Sequence, residues 1–483
     1  MGSNVSDIIG ELPEICAGAP NKEKSPDRGK DKYSYGTNIR PEKVRSAFGI
    51  ALHMHQPTIP AATDDLQSAA LISNLQHMME HQHIGDNHNA PVFLRCYSRI
   101  SDFIRELAAE GKNPRVMLDY SGCLLWGLKQ MGEGAVLENL KLITSDDKYH
   151  IYCEWLGTMW SHAVVSSTPV PDIRLQITAW REHFASMFGR DALRRVRGFS
   201  PPEMHLPIHP DICYEYVKAL KECGYEWIMV QEHTIENLDG SGIRRPHFPH
   251  KLIAKNSLGK TEEITALVKT QGSDTKLVAQ MQPYYEALSR GREDFGGKQI
   301  PPYVLQIADG ENGGVMMNEF PPMYMRVSRE IGTEGVCAMN GSEYLDLIKA
   351  AGVSEGRYIR VQPVSQSRIW DKVTGFARGA CDRAIDKIKA DDRGFDLEKG
   401  SWTNDRDWVK GYKGILDPMN NLSVLLHKKY DSPNADKKAS EYRKALLHLL
   451  ISQTSCFRYW GQGLWTDYAK EICRRGEALL RQE

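Results

Sequence analysis

Two acidic side chains stand directly after short apolar runs of the sequence. Glu203 follows two prolines that end the run at residues 196–199, and Asp309 ends the run at residues 303–308. Because proline has no N–H to give to a sheet, a strand must end before Glu203. An acid on stiff backbone just beyond a strand is well placed to act as a nucleophile, an acid or a base. For an isolated glutamate, a helix N-cap or a surface ion pair is the alternative.

Polar side chains follow six of the predicted strands. They are His53, His55 and Gln56; Asp119; Glu154; Glu203 and His205; Glu232 and His233; and Asp309 and Glu311. The carboxyl ends of parallel strands in a barrel all face one rim, where catalytic groups lie. Glu203 and Asp309 are distant in the sequence, but we expect them to meet at that rim.

The elements that position these residues alternate between strand and helix. Apolar runs predict seven strands, near Phe48, Val116, His150, Val196, Trp227, Leu277 and Tyr303. Strands that alternate with helical patterns are typical of parallel pairing through crossover connections. Because polar groups follow so many of the strands, a closed barrel is favoured over an open sheet. From about residue 342 helical periodicity dominates, so the fold class predicted is α/β, a seven-stranded barrel with a helical C-terminal domain.

Length and composition are those of a globular protein with more than one domain. The chain has 483 residues, of which 41% are hydrophobic and 25% charged, and a formal net charge of -1. This balance gives no general electrostatic reason to bind nucleic acid or an anionic membrane. Composition predicts a polar arm at residues 1–45, the barrel at residues 46–341 and the helical domain at residues 342–483.

The cysteines and the longest apolar runs bear on location. The 10 cysteines are scattered without a CxxC pair, which predicts reduced thiols in a cytoplasmic protein. No apolar run approaches the roughly 18 residues needed to cross a membrane. We therefore expect no membrane partner, and the sequence does not predict an oligomeric state.

Five short motifs, in the right order, resemble those of glycoside hydrolase family 57. The matches are His55-Gln56-Pro57, Glu154 with His162, Glu203, Asp309-Gly310-Glu311 and the stretch at residues 453–461 that holds Trp460. Two departures stand out: Ser-Pro-Pro replaces the tryptophan often found before the third motif's glutamate, and the fifth motif lacks its acidic residue. The resemblance spans about residues 48–465 and implies an incomplete seven-stranded (β/α) barrel with a helical domain.

The resemblance implies retaining hydrolysis or transfer on an α-linked glucan such as starch, glycogen or a maltooligosaccharide. Glu203 is the implied nucleophile, which forms a covalent glycosyl-enzyme, and Asp309 the implied acid/base, about 5–5.5 Å away. Glu232 is the less favoured nucleophile. The implied substrate contacts are His55, Gln56, Glu154, Trp155, His162, His205, Glu311 and Trp460. No cofactor or metal is implied, and the choice between hydrolysis, transfer and branching stays open.

Two other functions compete with this interpretation. His53 and His55 form an HxH pair at a strand end, and His233 and Asp309 follow later strands, which is the pattern of a zinc-dependent amidohydrolase-like barrel. The missing acidic residue near Phe457 instead favours a carbohydrate-binding relative without catalysis.

Overall fold

A computed structural model gives the arrangement of most of the chain. It describes residues 11–15, 39–61, 65–270, 272, 274–398, 400–401, 411–432, 434–437, 439–459 and 463–481. Most of the predicted N-terminal arm and Trp460 lie outside the described residues.

Seven parallel strands form a closed barrel. The described strands are β1 (Val44–Met54), β2 (Thr58–Ala61), β3 (Ala70–Ser73), β4 (Val116–Tyr120), β5 (Cys153–Gly157), β6 (Gly198–Phe199), β7 (Trp227–Gln231), β8 (Ile235–Asn237), β9 (His250–Lys255), β10 (Thr261–Lys269), β11 (Glu293–Phe295), β12 (Lys298–Ile300), β13 (Tyr303–Asp309), β14 (Gly335–Ala338) and β15 (Ile359–Pro363). The barrel order is β13-β1-β4-β5-β6-β7-β10, and pairing of Lys269 with Leu305 joins β10 back to β13. The predicted seven-stranded α/β barrel is confirmed.

The sixth barrel strand differs from the one predicted near Leu277. Residues Lys276–Ala279 form a helix, where Asp274 Oδ1 accepts the Lys276 N–H at 2.9 Å and helps to begin the turn. The strand is Thr261–Lys269 instead, and its first residues are charged and partly exposed because they extend beyond the barrel to pair with β9. The apolar run at Leu277 was too short to distinguish a strand from a buried helical turn.

The remaining strands extend or decorate the barrel. β9 pairs antiparallel with β10, β15 lies parallel to β9, and β8 closes this edge antiparallel to β15. β14 pairs parallel with the first half of β1. β2 with β3 and β11 with β12 form two separate hairpins.

Helices cover the barrel and dominate the chain after residue 341. The described α-helices are α1 (Asn74–Glu80), α2 (Ala90–Ala109), α3 (Gly122–Gln130), α4 (Gly134–Ser145), α5 (Val170–Phe188), α6 (Arg190–Arg195), α7 (Pro210–Glu222), α8 (Lys276–Ala279), α9 (Gln282–Leu288), α10 (Val315–Asn318), α11 (Phe320–Glu330), α12 (Gly341–Ala350), α13 (Gln366–Lys372), α14 (Ala380–Asp391), α15 (Lys413–Tyr430), α16 (Ser440–Ser452), α17 (Cys456–Tyr459) and α18 (Leu464–Arg481). None of these described helices has the length and apolarity that a membrane crossing requires.

α12 closes the barrel at the amino ends of its strands. At the start of α12, Glu343 Oε2 accepts the N–H of Asn340, the N-cap residue, at 3.2 Å. Glu343 also receives two hydrogen bonds, of 2.8 and 2.9 Å, from the buried guanidinium of Arg115, which precedes β4. The indole N–H of Trp227 on β7 donates to Ser342 Oγ at 2.9 Å. These hydrogen bonds hold α12 against the amino ends of the strands, which we call the barrel floor. The opposite end of the barrel is therefore the end that is open to ligands.

Candidate active site

A cavity of about 760 Å³ lies at the carboxyl ends of the barrel strands. Its polar lining includes His53, His55, Gln56, His162, Glu203, Asp309 and Glu311. The structure therefore brings together Glu203 and Asp309, which come from strands distant in the sequence. A concave site with several converging titratable groups is the usual form of an active site.

Glu203 enters the cavity from a 3-10 turn, Pro202–Met204, that follows β6. Its backbone is left-handed, with φ at 58°, and Met204 continues with φ at 48°. Such backbone costs about 1–3 kcal/mol at each residue and is found where the surroundings over-determine it. The Glu203 side chain is buried, and its Oε1 lies 3.6 Å from Nδ1 of His162. The turn therefore presents a fixed carboxylate to the cavity.

Asp309 reaches the same cavity from the last residue of β13. In the register of the sheet, His53 on β1 pairs with Asp309 on one side and with Asp119 of β4 on the other. Adjacent strands at equal register place their side chains on the same face of the sheet at the same height. His53 is therefore flanked by two carboxyl groups, one on each neighbouring strand.

His53 is a buried cation. Its Nδ1 lies 2.9 Å from Asp119 Oδ2, and the side chains are 9% and 1% exposed. Burial alone lowers the pKa of His53, but the charge and hydrogen bond of Asp119, followed by the charges of Asp309 and Glu311, outweigh burial and raise that pKa to about 10. The imidazole is consequently protonated at neutral pH.

Asp309 and Glu311 are acids whose proton affinity is increased. Burial raises the pKa of Asp309, the His53 cation opposes that rise, and the Asp119 charge adds to it. Burial, followed by the charge of Asp309, raises the pKa of Glu311 to about 8. Glu311 Oε1 accepts the His55 N–H at 3.1 Å, while Oε2 is buried with no hydrogen-bond partner among the described residues. The pair therefore holds a proton at neutral pH, as a general acid must.

His55 and His162 complete the polar wall. The two rings stack on each other with centroids 4.6 Å apart, and the His162 ring stacks on His53 at 4.4 Å. Burial, followed by the charge of His53, lowers the pKa of both His55 and His162 well below the usual value. Both imidazoles are therefore neutral, and each has one nitrogen to donate and one to accept.

Hydroxyl groups from two parts of the chain bind these neutral rings. Ser121, the N-cap of α3, lies 2.7 Å from Nδ1 of His55, and Thr454 Oγ1 lies 3.3 Å from its Nε2. Ser455 Oγ lies 2.8 Å from Nδ1 of His162, and the backbone N–H of Ser455 donates to the His162 carbonyl at 3.1 Å. Residues 454–455, from the C-terminal part, thus help to orient both imidazoles.

Three predicted substrate contacts do not line the cavity. Glu154 was expected at a strand end but is the second residue of β5, near the barrel floor, where it accepts hydrogen bonds from the Ser342 N–H and hydroxyl. Trp155, the next residue, alternates to the outer face of the sheet and packs on Tyr120 and Phe184. Its indole therefore belongs to the core.

His205 is the third. It lies two residues after Glu203, and in a strand the two would share a face, but the 3-10 turn at Pro202–Met204 rotates them apart. His205 is fully buried outside the cavity lining, and burial lowers its pKa to about 4. One further predicted contact, Trp460, lies outside the described residues.

Several residues of the site were not predicted from the sequence. His53 lines the cavity and Asp119 lies behind it. Both followed predicted strands, but neither was assigned to the site, because their contact depends on the register between β1 and β4. Further lining residues come from helices and carry no motif: Asn74, His77, Met78, Cys456 and Tyr468. Trp465 on α18 also lines the cavity.

The ligand set of a zinc hydrolase is not assembled here. His233 does not line the cavity, and its Nε2 lies 2.6 Å from the Ser401 carbonyl. Across the described part of the chain, no three His, Cys, Asp or Glu side chains are grouped as metal ligands. His53 is instead paired with Asp119.

A comparison with protein-family models finds a match for most of this barrel. The model of glycosyl hydrolase family 57 matches residues 49–278, which hold the second half of β1 and all of β2 to β10. The resemblance seen in the motifs is thus confirmed over these residues. A comparison with curated protein sequences gave no match.

One solved structure supports the fold. A 4-alpha-glucanotransferase from Thermococcus litoralis superposes with a TM-score of 0.54 at 16% identity, over 90% of this chain and 59% of that one. This chain thus spans less than two thirds of that protein's length. A GH57-type branching enzyme from Pyrococcus horikoshii gives 0.45 at 14% identity over 89% and 88%, and an exo-type maltose-forming amylase from Pyrococcus sp. ST04 gives 0.48 at 13% over 90% and 72%. At these identities the similarity establishes the fold alone, through the first of the three.

Proposed function

We propose that this protein is a retaining glycoside hydrolase or glucan transferase that acts on an α-linked glucan. The observation that carries the proposal is the convergence of Glu203 and Asp309 on one cavity from β6 and β13. The match to the glycosyl hydrolase family 57 model and the likeness to a 4-alpha-glucanotransferase support the choice of substrate class. We further propose that the protein acts in the cytoplasm, which its scattered free cysteines favour.

The reaction has two displacement steps on the anomeric carbon. The Glu203 carboxylate attacks that carbon, the glycosidic C–O bond breaks, and Asp309 gives its proton to the departing oxygen. Water or a sugar hydroxyl then attacks the glycosyl-enzyme while Asp309 takes the attacking proton, and the bond to Glu203 breaks. The raised pKa of Asp309 supports its role as the acid, since the carboxyl must be protonated for the first step.

The neutral imidazoles suit contacts to sugar hydroxyls. His162 Nε2 is buried with no hydrogen-bond partner among the described residues, and His162 lines the cavity beside Glu203. We propose that His55, Gln56, His162 and Glu311 bind the sugar that occupies the cavity. The proposal assigns no such role to Glu154, Trp155 or His205.

The test is incubation with maltooligosaccharides and amylose, with the products separated by size and by branching. Longer products indicate transfer, shorter products alone indicate hydrolysis, and new branch points indicate branching. We expect Asp309→Asn to lower the rate by about 10²–10⁴-fold, and Glu203→Gln to lower it at least as much. Glu232→Gln is the matched control, because Glu232 also follows a barrel strand but does not line the cavity.

The variants also separate this mechanism from simple glucan binding. If Glu203→Gln keeps the wild-type rate, or if the wild-type protein binds glucans without altering them, the catalytic proposal is wrong. External azide should restore turnover to Glu203→Ala, because a small anion then attacks the anomeric carbon in the space that the carboxylate leaves.

A further inference from the structure

Asp119 makes a buried contact that the proposed reaction does not explain. It is the fourth residue of β4, its side chain is 1% exposed, and its Oδ2 binds Nδ1 of His53 at 2.9 Å. Its other oxygen, Oδ1, is buried with no hydrogen-bond partner among the described residues. Asp119 does not line the cavity, so it touches the reacting groups only through His53.

Among the described residues that line the cavity, His53 carries the positive charge, and its neighbours are acidic or neutral. Asp119 faces it from β4, and Asp309 and Glu311 act on it from β13 and the turn that follows. His55 on the same chain segment and His162 stacked at 4.4 Å are both neutral. No lysine or arginine occurs among the described residues that line the cavity.

This arrangement fixes both the proton and the orientation of the imidazolium. Because Nδ1 is bound to Asp119, Nε2 is the ring nitrogen left for the cavity. An imidazolium that lies between carboxyl groups favours their ionised forms, typically by about 1–3 pKa units for an opposite charge within about 4–6 Å. Without a fixed partner, a buried histidine gives up its proton, and this stabilisation disappears.

We propose that Asp119 is a positioning residue for the acid/base step, because it holds His53 as a fixed cation against Asp309 and Glu311. The inference rests on the proposed function of Asp309. The positive charge of His53 explains how the two adjacent buried acids, Asp309 and Glu311, can share the site with one of them ionised. That ionised form is required when Asp309 takes a proton from the attacking water or sugar in the second step.

The first arm of the test measures protonation and needs no activity. The full-length protein is labelled with ¹³C at histidine Cε1, and the His53 resonance is assigned by its loss in His53→Gln. At about pH 8, well above the ordinary histidine pKa of about 6.5, we expect His53 to be protonated in the wild type and neutral in Asp119→Asn. A neutral wild-type His53 at that pH would overturn the proposal, even if the variant failed to fold.

The second arm is the pH profile of glucan turnover. Loss of the His53 cation raises the pKa of Asp309 by more than loss of the Asp119 charge lowers it, so we expect the alkaline limb of the Asp119→Asn profile, which reports the protonated acid, to move about one unit to higher pH. Asp119→Glu keeps the charge and should move this limb less. The matched control is Glu286→Gln, which breaks a His–carboxylate contact of 3.0 Å with His247 outside the cavity and should leave the limbs in place.

The outcomes separate the two proposals. An Asp119→Asn profile with an unshifted alkaline limb, or an equal shift in Glu286→Gln, overturns the role of Asp119 while the proposed function stands. A wild-type protein that does not alter glucans refutes the proposed function and with it the role in the acid/base step. In that case the labelled histidine still decides whether Asp119 holds the His53 cation.

Discussion

Replacing Ser455 by alanine removes one hydroxyl contact to the site and keeps the backbone around it. Ser455 Oγ lies 2.8 Å from Nδ1 of His162, and the Ser455 N–H donates to the His162 carbonyl at 3.1 Å. Only the first contact is lost in Ser455→Ala. The His162 ring, whose Nδ1 lies 3.6 Å from the Glu203 carboxylate, then has less to orient it.

The size of the effect follows from burial. A buried polar atom left without a partner costs about 1–3 kcal/mol, and both residues are fully or almost fully buried. His162 Nε2 already lacks a partner among the described residues, so stacking on His53 and His55 would be left to hold the ring. Since about 1.4 kcal/mol is a tenfold change in rate, a loss of this full size in the transition state would lower kcat/KM by about 5- to 140-fold.

The assay pairs initial rates on a maltooligosaccharide with unfolding in urea. Ser452→Ala is the control, because Ser452 is a buried serine three residues earlier whose hydroxyl donates to the Leu449 carbonyl within α16. We expect Ser452→Ala to lose about 1 kcal/mol of stability or less and to keep its kcat/KM. Equal losses of activity in the two variants, or none in Ser455→Ala, would refute the role of the hydroxyl.

Three further predictions concern stability. Glu343→Gln leaves Arg115 buried without its anion at the barrel floor, and should lower the free energy of unfolding in urea by about 3–5 kcal/mol. His53 binds its proton more tightly when folded, so its contribution is full below about pH 6.5 and is lost as the pH rises through about 10; His53→Gln should lose this alkaline fall in stability. Gly122→Ala would place Cβ 2.1 Å from the Trp160 indole at the start of α3, and should lower the free energy of unfolding by about 1–3 kcal/mol.

Each of these has a contrasting measurement. Gly134 also begins a helix, but a Cβ there meets nothing within 4 Å, so Gly134→Ala should not destabilise the protein; a similar loss in both alanine variants would contradict the steric argument. A loss below about 1 kcal/mol in Glu343→Gln would mean that the floor pair is solvated. An alkaline fall that survives in His53→Gln would assign it to other groups.

The sequence alone was sufficient to predict that Glu203 and Asp309 reach the same end of the barrel. Their convergence required only that strands alternate with helices and that both acids follow a strand, and local signals report both conditions. The same signals misplaced the strand near Leu277, since a three-residue apolar run has no decisive period. They also misplaced Glu154, because the strand begins at Cys153 and continues past it, so the carboxylate lies at the floor of the barrel.

Contacts that depend on strand register or on the C-terminal part of the chain could not be predicted from the sequence. The pairing of His53 with Asp119 depends on which residues of β1 and β4 are level, and no pattern within either strand encodes that. Thr454 and Ser455 form a stretch without charge, and nothing in it indicates that two imidazoles lie opposite. The alternation that did identify strands also explains Trp155, whose neighbour in the strand faces inward while the indole packs outside.

The hydroxyls of residues 454–455 make the C-terminal helices part of the active site. A neutral buried imidazole has two nitrogens to satisfy, and the barrel supplies Ser121 to one nitrogen of His55. The other partners come from a stretch that is itself anchored, because Gln453 donates to Asp172 at 2.6 Å and accepts from Gln176 at 2.8 Å. Asp172 in turn lies 2.7 Å from His427 of α15. A barrel without these helices would leave both imidazoles to water, so the helical part is required for the geometry beside Glu203 as well as for covering the core.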